Sequence, residues 1–223
     1  ETNLIPENTN SDGALSIAFV GIGTLWIGAA SVMPADNIKG HRQDVIDAIL
    51  DWSPTFLRWP GGNFVSAYHW QDGIGCRDKR STRLDPAFSL LEPNDVGTDE
   101  FIDLCRLLKA EPILTVNMGN GTPEEAAAWV EYCNGDGRTK HGRLRAINGY
   151  EEPHNVKTWF VGNELFGNWQ VGHVDPETYA RLYLDFARAM KRADADLRLI
   201  AVGVPIDLYG RWNEFVLKQC REE

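Results

Sequence analysis

The stretch that decides the fold reads Val156-Lys-Thr-Trp-Phe-Val-Gly-Asn-Glu164. A run rich in β-branched and aromatic residues stops at Gly162, and the amide of Asn163 and the carboxylate of Glu164 follow at once. The run predicts a buried strand, whose interior has no packing use for an unpaired charge because burying one costs on the order of several kcal/mol. We therefore predict a parallel strand that presents Asn163 and Glu164 at its carboxyl end, where α/β barrels display their chemistry.

Two interpretations of this pair stay open from the stretch alone. In one, Glu164 is a catalytic acid/base and Asn163 holds a substrate hydroxyl group. In the other, Glu164 is a solvated carboxylate at a strand end, or it caps the helix that follows. The rest of the sequence has to decide between them.

Alternating helix and strand patterns surround this stretch from residue 41 onwards. Predicted strands cover residues 55–59, 113–117, 156–161 and 197–204. Predicted helices cover residues 41–50 and begin again at the N-caps Thr98 and Thr122, at Asp175-Pro176 and at Trp212. Four β–α units in succession require a parallel sheet, which is either an open doubly wound sheet or a closed (β/α)8 barrel.

Polar residues at the predicted strand ends favour the closed barrel. Arg58 lies in the first of these strands, Asn117 ends the second, and Asn163 and Glu164 end the third. Neighbouring strands that each deliver a polar group to one rim are typical of a barrel. A nucleotide-binding open sheet would carry a glycine-rich phosphate loop after its first strand, and the sequence has none. We therefore predict an α/β fold of the (β/α)8 TIM barrel type.

Composition narrows the classes of partner. The formal net charge of -10 at pH 7 argues against nucleic acid and against an anionic membrane surface, and it suits a neutral ligand such as a sugar. The five histidines show no metal-ligand spacing, so we predict no metal site. No apolar run approaches membrane length and no signal-peptide pattern is present, so we predict no membrane partner, and the compartment stays open.

The segment after the first predicted strand is a second region rich in candidate groups. Gly61 and Gly62 allow the backbone to turn sharply and to come close to a ligand, so that Arg58 and Asn63 can aim donors at hydroxyl groups. In the alternative interpretation, Arg58 pairs with an acid to hold the loop.

An ordered series of motifs covers residues from about 31 to 204 of this sequence. Its motifs are Leu57-Arg-Trp-Pro-Gly-Gly-Asn-Phe-Val-Ser66, Tyr68-His-Trp70, Asp72-Gly-Ile-Gly75, Asn94-Asp-Val-Gly-Thr-Asp-Glu-Phe101, Gly121-Thr-Pro-Glu-Glu-Ala-Ala127, Glu131-Tyr-Cys-Asn-Gly135, Gly162-Asn-Glu164 and Trp169-Gln-Val-Gly-His173. A single Asn-Glu pair is a weak signal, whereas this ordered series is specific. The series resembles the α-L-arabinofuranosidases of glycoside hydrolase family 51.

The resemblance implies a retaining hydrolase that needs neither a metal nor another cofactor. Such an enzyme removes non-reducing-end α-L-arabinofuranosyl groups from arabinan, arabinoxylan or their oligosaccharides. In this sequence, Glu164 matches the acid/base of the family and Asn163 matches the residue that binds the sugar 2-hydroxyl group. Arg58 and Asn63 match residues that contact the arabinofuranose.

Two aromatic positions complete the implied substrate-binding residues. Trp169 resembles an aromatic residue that lines the leaving-group side of the site. Phe88 stands where relatives often carry a tryptophan that stacks near the sugar, and this departure would loosen or reshape the subsite. The resemblance also suggests a homo-oligomer for the intact enzyme.

The strand order of the family predicts how the chain is divided. It also implies that only one of the two catalytic carboxylates, Glu164, lies in this sequence. Glu164 then ends strand four of the barrel, and the nucleophile glutamate, which follows strand seven, is expected beyond residue 223. Residues 34–223 are predicted to be a partial barrel with about strands two to five, and residues 1–33 a terminal loop with the last strands of a β-sandwich-like module. We expect a fragment of a larger enzyme that is inactive alone. Asp207 is interpreted as a loop acid, and Glu111 as facing the opposite rim.

Two other functions remain compatible with the sequence. One is a different barrel glycosidase, such as a β-xylosidase or an endoglucanase, that uses the same strand-four Asn-Glu pair. The other is a non-catalytic carbohydrate-binding remnant that keeps the sugar contacts without turnover. A gene that continues past residue 223 into a strand ending in glutamate would favour the enzyme.

Overall fold

Parallel strands joined through helices organise the part of the chain that the structure describes. The computed structural model describes residues 3–5, 8, 12–28, 30–205 and 211–221. The strands are β1 (Phe56–Trp59), β2 (Arg83–Asp85), β3 (Leu90–Glu92), β4 (Glu111–Val116), β5 (Thr158–Val161) and β6 (Arg198–Ala201). The helices are α1 (Gln43–Trp52), α2 (Thr98–Leu108), α3 (Pro123–Asn134), α4 (Lys140–Ile147), α5 (Pro176–Ala193) and α6 (Trp212–Cys220).

The main sheet has the topology of a barrel wall. Strands β1, β4, β5 and β6 are parallel hydrogen-bonded neighbours in that order. Spatial order therefore follows chain order, and each strand is joined to the next through at least one helix. An open doubly wound sheet reverses its strand order at a switch point, and no reversal occurs among these four strands. The four predicted strands are confirmed, although β5 and β6 are shorter than their sequence patterns indicated.

Alternation along the strands gives this sheet two different faces. The outer face belongs to the hydrophobic core, which it shares with apolar side chains of α2, α3 and α5. The residues of the outer face are Leu57, Trp59, Leu114, Val116, Trp159 and Val161. The strand register places a different set side by side on the inner face, namely Arg58, Ile113, Thr115, Phe160 and Ile200. The inner face therefore carries the polar side chains of Arg58 and Thr115 near the carboxyl ends of the strands.

An ion pair closes the opposite end of the inner face. Glu111, the first residue of β4, pairs with Arg198, the first residue of β6. Its Oε1 also accepts a hydrogen bond of 3.3 Å from Oγ1 of Thr158. This arrangement agrees with the prediction that Glu111 faces the rim away from Glu164.

Helix starts follow the predicted capping residues in two of three cases. Thr122 accepts a hydrogen bond of 3.1 Å from the backbone N–H of Glu125, and Asp175 accepts one of 2.8 Å from Thr178. The prediction for Thr98 is wrong, because α2 has Gly97 as its N-cap and Thr98 as its first residue. The hydroxyl of Thr98 is instead used in the core, where it accepts a hydrogen bond of 3.0 Å from the indole of Trp129.

Two elements, α4 and the β2–β3 hairpin, carry no periodic apolar pattern. The hairpin leaves Leu84, Leu90 and Leu91 exposed. In α4 the fully buried side chain is Arg145, which donates to the backbone carbonyls of Tyr132, Gly135, Tyr150 and Glu151 at 2.6 to 3.2 Å. Burial lowers the pKa of Arg145. The helix α4 packs through the buried Arg145, which binds loop carbonyls, and not through a row of apolar side chains. Its sequence therefore lacks the helical apolar periodicity from which a helix is predicted.

The described residues before Asn37 are exposed, and no strand occurs among the described residues before α1. Phe19, Trp26 and other apolar side chains between residues 12 and 33 are accessible to solvent. The division of the chain at residue 33 therefore stays a prediction. None of the described helices is both long and apolar enough to cross a membrane.

Removal of the buried guanidinium should destabilise the fold. We expect Arg145→Leu to lower the free energy of unfolding by about 3 kcal/mol or more, because each unpaired buried acceptor costs about 1–3 kcal/mol. Arg143→Leu is the matched control, since Arg143 lies on the same helix and is exposed. Chemical denaturation of both variants measures the difference, and equal losses would contradict the role given to Arg145.

Candidate active site

The rim at the end of β5 is shaped by two residues with left-handed backbone conformations. Gly162 has φ +85° and Glu164 has φ +48°. A Cβ atom on Gly162 would lie 2.7 Å from Cδ1 of Leu165, so this turn requires glycine for both conformation and space. The carbonyl of Glu164 then accepts a hydrogen bond of 2.8 Å from the backbone N–H of Gly167, which closes the turn.

This turn sends the two predicted site residues into different surroundings. Asn163 is buried, with 7% of its surface accessible, whereas Glu164 is exposed. The helix-capping interpretation of Glu164 is wrong, because α5 begins later and has Asp175 as its N-cap. Glu164 is therefore a rim carboxylate that is open to a ligand.

Arg58 connects the inner face of the sheet to Asn163. Its Nη2 donates a hydrogen bond of 2.8 Å to Oδ1 of Asn163, and its Nε donates one of 3.0 Å to Oγ1 of Thr115. The guanidinium carbon also lies 4.6 Å from the ring centroid of Phe160, within range of a cation–π contact. No ion pair to Arg58 is formed within the described part of the chain, so the alternative in which this arginine pairs with an acid is not what these residues show.

The Arg58 head group brings positive charge to the rim. Arg58 as a residue is exposed, yet its guanidinium contacts the buried residues Thr115 and Asn163. Removal from bulk water lowers the pKa of Arg58, and the nearby charge of Glu164 raises it in part. An arginine stays protonated through such a shift because its ordinary pKa lies far above neutrality. The site therefore places a permanent cation beside Asn163 and Glu164.

Trp169 adds an apolar surface next to the acid. Its indole N–H lies 3.4 Å from Oε2 of Glu164, and 52% of its surface is accessible. The ring makes an edge contact with Phe166 at a centroid distance of 6.2 Å, and Phe166 in turn contacts the buried Trp212 at 5.7 Å. One side of Glu164 is thus bordered by an aromatic face that is anchored to the core.

The three loops that follow β1, β4 and β5 contact one another next to this rim. The amide of Gln170 donates a hydrogen bond to the hydroxyl of Ser66, and both side chains are buried. A Cβ atom on Gly172 would lie 2.5 Å from Cα of Gly119, so the backbones after β4 and β5 are in direct contact. The segment that carries Trp169 is therefore fixed to the segments that follow β1 and β4.

Asn63 and Phe88 are placed less directly than the other predicted residues. Asn63 is half-buried in the 3-10 helix Gly62–Ala67, just after β1. A Cβ atom on Gly61 would lie 3.6 Å from Nη1 of Arg58, so this loop passes alongside the guanidinium. Phe88 lies between β2 and β3 with 57% of its surface accessible, and no described ring contact joins it to the rim.

Asn117 reaches the rim but is already used by its own loop. It is buried and directly follows β4, which ends at Val116, one residue before the predicted strand end. Its Nδ2 donates to Oδ1 of Asn120 at 2.7 Å and to the carbonyl of Tyr68 at 3.2 Å, and its Oδ1 accepts from the backbone of Gly119 at 2.9 Å. Asn117 therefore shapes the turn after β4 and does not offer an open group to a ligand.

A cavity of about 590 Å³ lies beside this rim. None of Arg58, Asn163 and Glu164 lines it. Its polar walls include the pairs His69–Glu125 and Arg83–Asp72, which are joined at 2.9 and 2.8 Å. Because none of the three candidate groups lines this cavity, the rim is the candidate active site.

Comparison with known proteins places this geometry in a family. Residues 48–209 match the family model of the alpha-L-arabinofuranosidase 1 domain. The chain belongs to this family. The predicted resemblance to glycoside hydrolase family 51 is confirmed, since a GH51 α-L-arabinofuranosidase structure from Thermotoga petrophila is 47% identical with a TM-score of 0.79, over 84% of this chain and 38% of that one.

Other relatives of this arabinofuranosidase-family chain agree. The arabinose complex of the Thermotoga maritima α-L-arabinofuranosidase is 46% identical with a TM-score of 0.80, over 85% of this chain and 39% of that one. A probable α-L-arabinofuranosidase C of Aspergillus fumigatus is 44% identical over 84% of this chain and 37% of its own length. An intracellular exo-α-(1→5)-L-arabinofuranosidase of Acetivibrio thermocellus is 43% identical over 80% and 36%. The fold prediction is confirmed as part of a TIM barrel, and the chain spans little more than a third of the length of these relatives.

Three residues that shape the site, Thr115, Ser66 and Gln170, were not predicted from the sequence. Thr115 looks like an ordinary β-branched strand residue, and only its register position on the same face as Arg58 could have singled it out. Ser66 and Gln170 both lie inside family-like motifs, but their contact joins residues 104 positions apart, and no local pattern reports such a pair.

The turn after β5 should tolerate no side chain at its glycine. We expect Gly162→Ala to lower the free energy of unfolding more than Gly149→Ala. Both glycines have positive φ, at +85° and +99°, but a Cβ atom at Gly149 meets nothing within 4 Å. The control should show only the conformational penalty of about 1 kcal/mol, whereas Gly162→Ala adds a clash with Leu165 and Met118. Equal losses in chemical denaturation would contradict this account of the turn.

Proposed function

We propose that the whole protein is a retaining α-L-arabinofuranosidase that acts at non-reducing ends, with Glu164 as its acid/base. The observation that carries the proposal is the exposed Glu164 at the carboxyl rim, adjacent to a buried Asn163 that Arg58 holds at 2.8 Å. The family to which the chain belongs supports the same chemistry.

The proposed reaction proceeds in two steps. Glu164 first donates a proton to the glycosidic oxygen while a second carboxylate attacks the anomeric carbon and forms a covalent glycosyl-enzyme intermediate. Glu164 then accepts a proton from the water that hydrolyses this intermediate. In retaining enzymes the two carboxyl groups are only about 5–5.5 Å apart, and we expect the second one beyond residue 223.

The surroundings of Glu164 suit a neutral furanose. In this proposal, Asn163 and Arg58 hold hydroxyl groups of the arabinofuranosyl group, with Asn63 as a further contact. Trp169 borders Glu164 at 3.4 Å and provides a face for the leaving group. Phe88 offers a smaller and wholly apolar ring where relatives often have tryptophan, so it would hold the sugar less tightly.

The substrates are proposed to be arabinan-type or arabinoxylan-type oligosaccharides and polysaccharides. The names of the relatives support arabinofuranosyl substrates, and one of those proteins is named for the α-(1→5) linkage. The net charge of -10 suits neutral glycans better than acidic ones.

Leaving-group dependence tests the role of Glu164. In the whole protein, Glu164→Gln should lower kcat/KM for poor leaving groups by about 10²–10⁴-fold, which is the range of acid catalysis. It should affect glycosylation by activated aryl arabinofuranosides far less, because those leaving groups need no proton. Glu177→Gln is the charge-matched control, since Glu177 is an exposed residue of α5. Equal losses on both substrate types would refute the acid/base role.

A substrate panel tests the reaction class. The whole protein should hydrolyse an aryl α-L-arabinofuranoside with a much larger kcat/KM than the matching β-D-xylopyranoside or β-D-glucopyranoside. A preference for either pyranoside would favour another barrel glycosidase. Sugar binding without turnover of any substrate would favour a non-catalytic carbohydrate-binding protein.

A further inference from the structure

The Arg58–Asn163 contact fixes which end of the Asn163 amide faces the arginine. A guanidinium group has N–H donors and no acceptor, so the Asn163 atom at 2.8 Å from Nη2 of Arg58 must be the carboxamide oxygen. The oxygen and nitrogen of an asparagine are otherwise hard to tell apart. Here the arginine decides between them, and the Nδ2 group is turned away from it.

The Nδ2 group of Asn163 has no partner within the described part of the chain. It is buried and forms no hydrogen bond there, while the whole residue is 7% accessible. An unpaired buried donor costs about 1–3 kcal/mol, so this is an unusual state for a residue held so firmly. The group is available to donate to an oxygen atom of a ligand.

The orientation of Arg58 depends in turn on Thr115. Oγ1 of Thr115 accepts from Nε of Arg58 at 3.0 Å, on the same edge of the guanidinium from which Nη2 donates to Asn163. Thr115 is fully buried in β4 and paired in register with Phe160, whose ring the guanidinium covers. Because threonine is β-branched and restricted at χ1, its hydroxyl is a fixed acceptor.

We propose that Thr115 is a positioning residue that sets the polarity of the substrate-binding site. It anchors Arg58, Arg58 holds the oxygen of Asn163, and Asn163 consequently presents its N–H group. The ligand atom at that position is therefore a hydrogen-bond acceptor, such as a sugar hydroxyl oxygen. Its identity as an arabinofuranosyl hydroxyl group rests on the proposed function, whereas the chain of contacts does not.

The competing explanation is that Thr115 only fills space beneath the rim. Two substitutions separate the explanations. Thr115→Val keeps the shape and removes the hydroxyl, while Thr115→Ser keeps the hydroxyl and removes a methyl group. A purely packing role predicts that Ser is the more harmful substitution, and the positioning role predicts the reverse.

Crystal structures of both variants of the whole protein give the first readout, which needs no activity. We expect the Arg58–Asn163 contact to persist in Thr115→Ser and to be broken or rearranged in Thr115→Val. An unchanged contact in Thr115→Val would overturn the proposal.

Kinetics with deoxy substrates give the second readout. An aryl α-L-arabinofuranoside is compared with its 2-deoxy, 3-deoxy and 5-deoxy analogues, so that the hydroxyl group bound by Asn163 is identified by its loss. In Thr115→Val, kcat/KM for the parent substrate should fall about tenfold, as for the loss of one hydrogen bond. The penalty for the critical deoxy analogue should nearly disappear, and Thr115→Ser should behave like the unmodified protein. Unchanged discrimination in Thr115→Val would contradict the proposal.

The result that would refute the proposed arabinofuranosidase activity differs from the result that would refute the role of Thr115. If the unmodified protein hydrolyses no arabinofuranoside, that function is refuted. The crystallographic comparison alone then decides whether Thr115 positions Arg58 and Asn163.

Discussion

The two-residue alternation along the parallel strands is the constraint on which the rest of the structure depends. It assigns Trp59, Leu114 and Trp159 to the outer face beneath the helices. By the same count, it assigns Arg58 and Thr115 to the inner face, where Arg58 pairs in register with Ile113 and its side chain reaches Thr115, two residues further along β4. A shift of one residue in any strand would exchange these sets. It would bury a guanidinium in an apolar core and expose indole rings, so the packing energy of the outer face also fixes the geometry of the inner one.

Polar groups on the inner face come at an energetic cost that local contacts offset. Arg58 has two hydrogen bonds and an aromatic face, and the pair of Glu111 and Arg198 sits at the far end of the same face. Nδ2 of Asn163 is not offset, since it is buried and forms no hydrogen bond within the described part of the chain. The hydroxyl of Tyr68 and Oε1 of Gln170 are also buried there without a partner, so what distinguishes Asn163 is its position directly beside Glu164 at the carboxyl rim. Exceptions to local consistency of this kind are expected at functional sites.

The sequence predicted those features whose cause is local. The strand before Glu164 could be read from its apolar run, and the starts of α3 and α5 could be read from their capping residues. The helix α4 could not, because Arg145 replaces the apolar stripe on which such predictions depend. The candidate site divides in the same way, since Glu164 was visible as a polar residue at a strand end. The link from Thr115 through Arg58 spans 57 positions and exists only in the folded sheet.

The glycines and the glutamine of the family-like motifs have a physical explanation in the contacts between loops. The segment with Trp169 and Gln170 follows β5, and its position cannot be set by strand pairing because it lies beyond the sheet. Gly172 has φ +77° and approaches the backbone of Gly119 too closely to allow a side chain, while Gln170 reaches the buried Ser66. These two contacts tie the loop to two others that themselves start from strands of the sheet. The strand register therefore also sets the position of the aromatic face beside Glu164, although this face lies on a loop. The residues of the motif are those that allow the loops to approach one another closely.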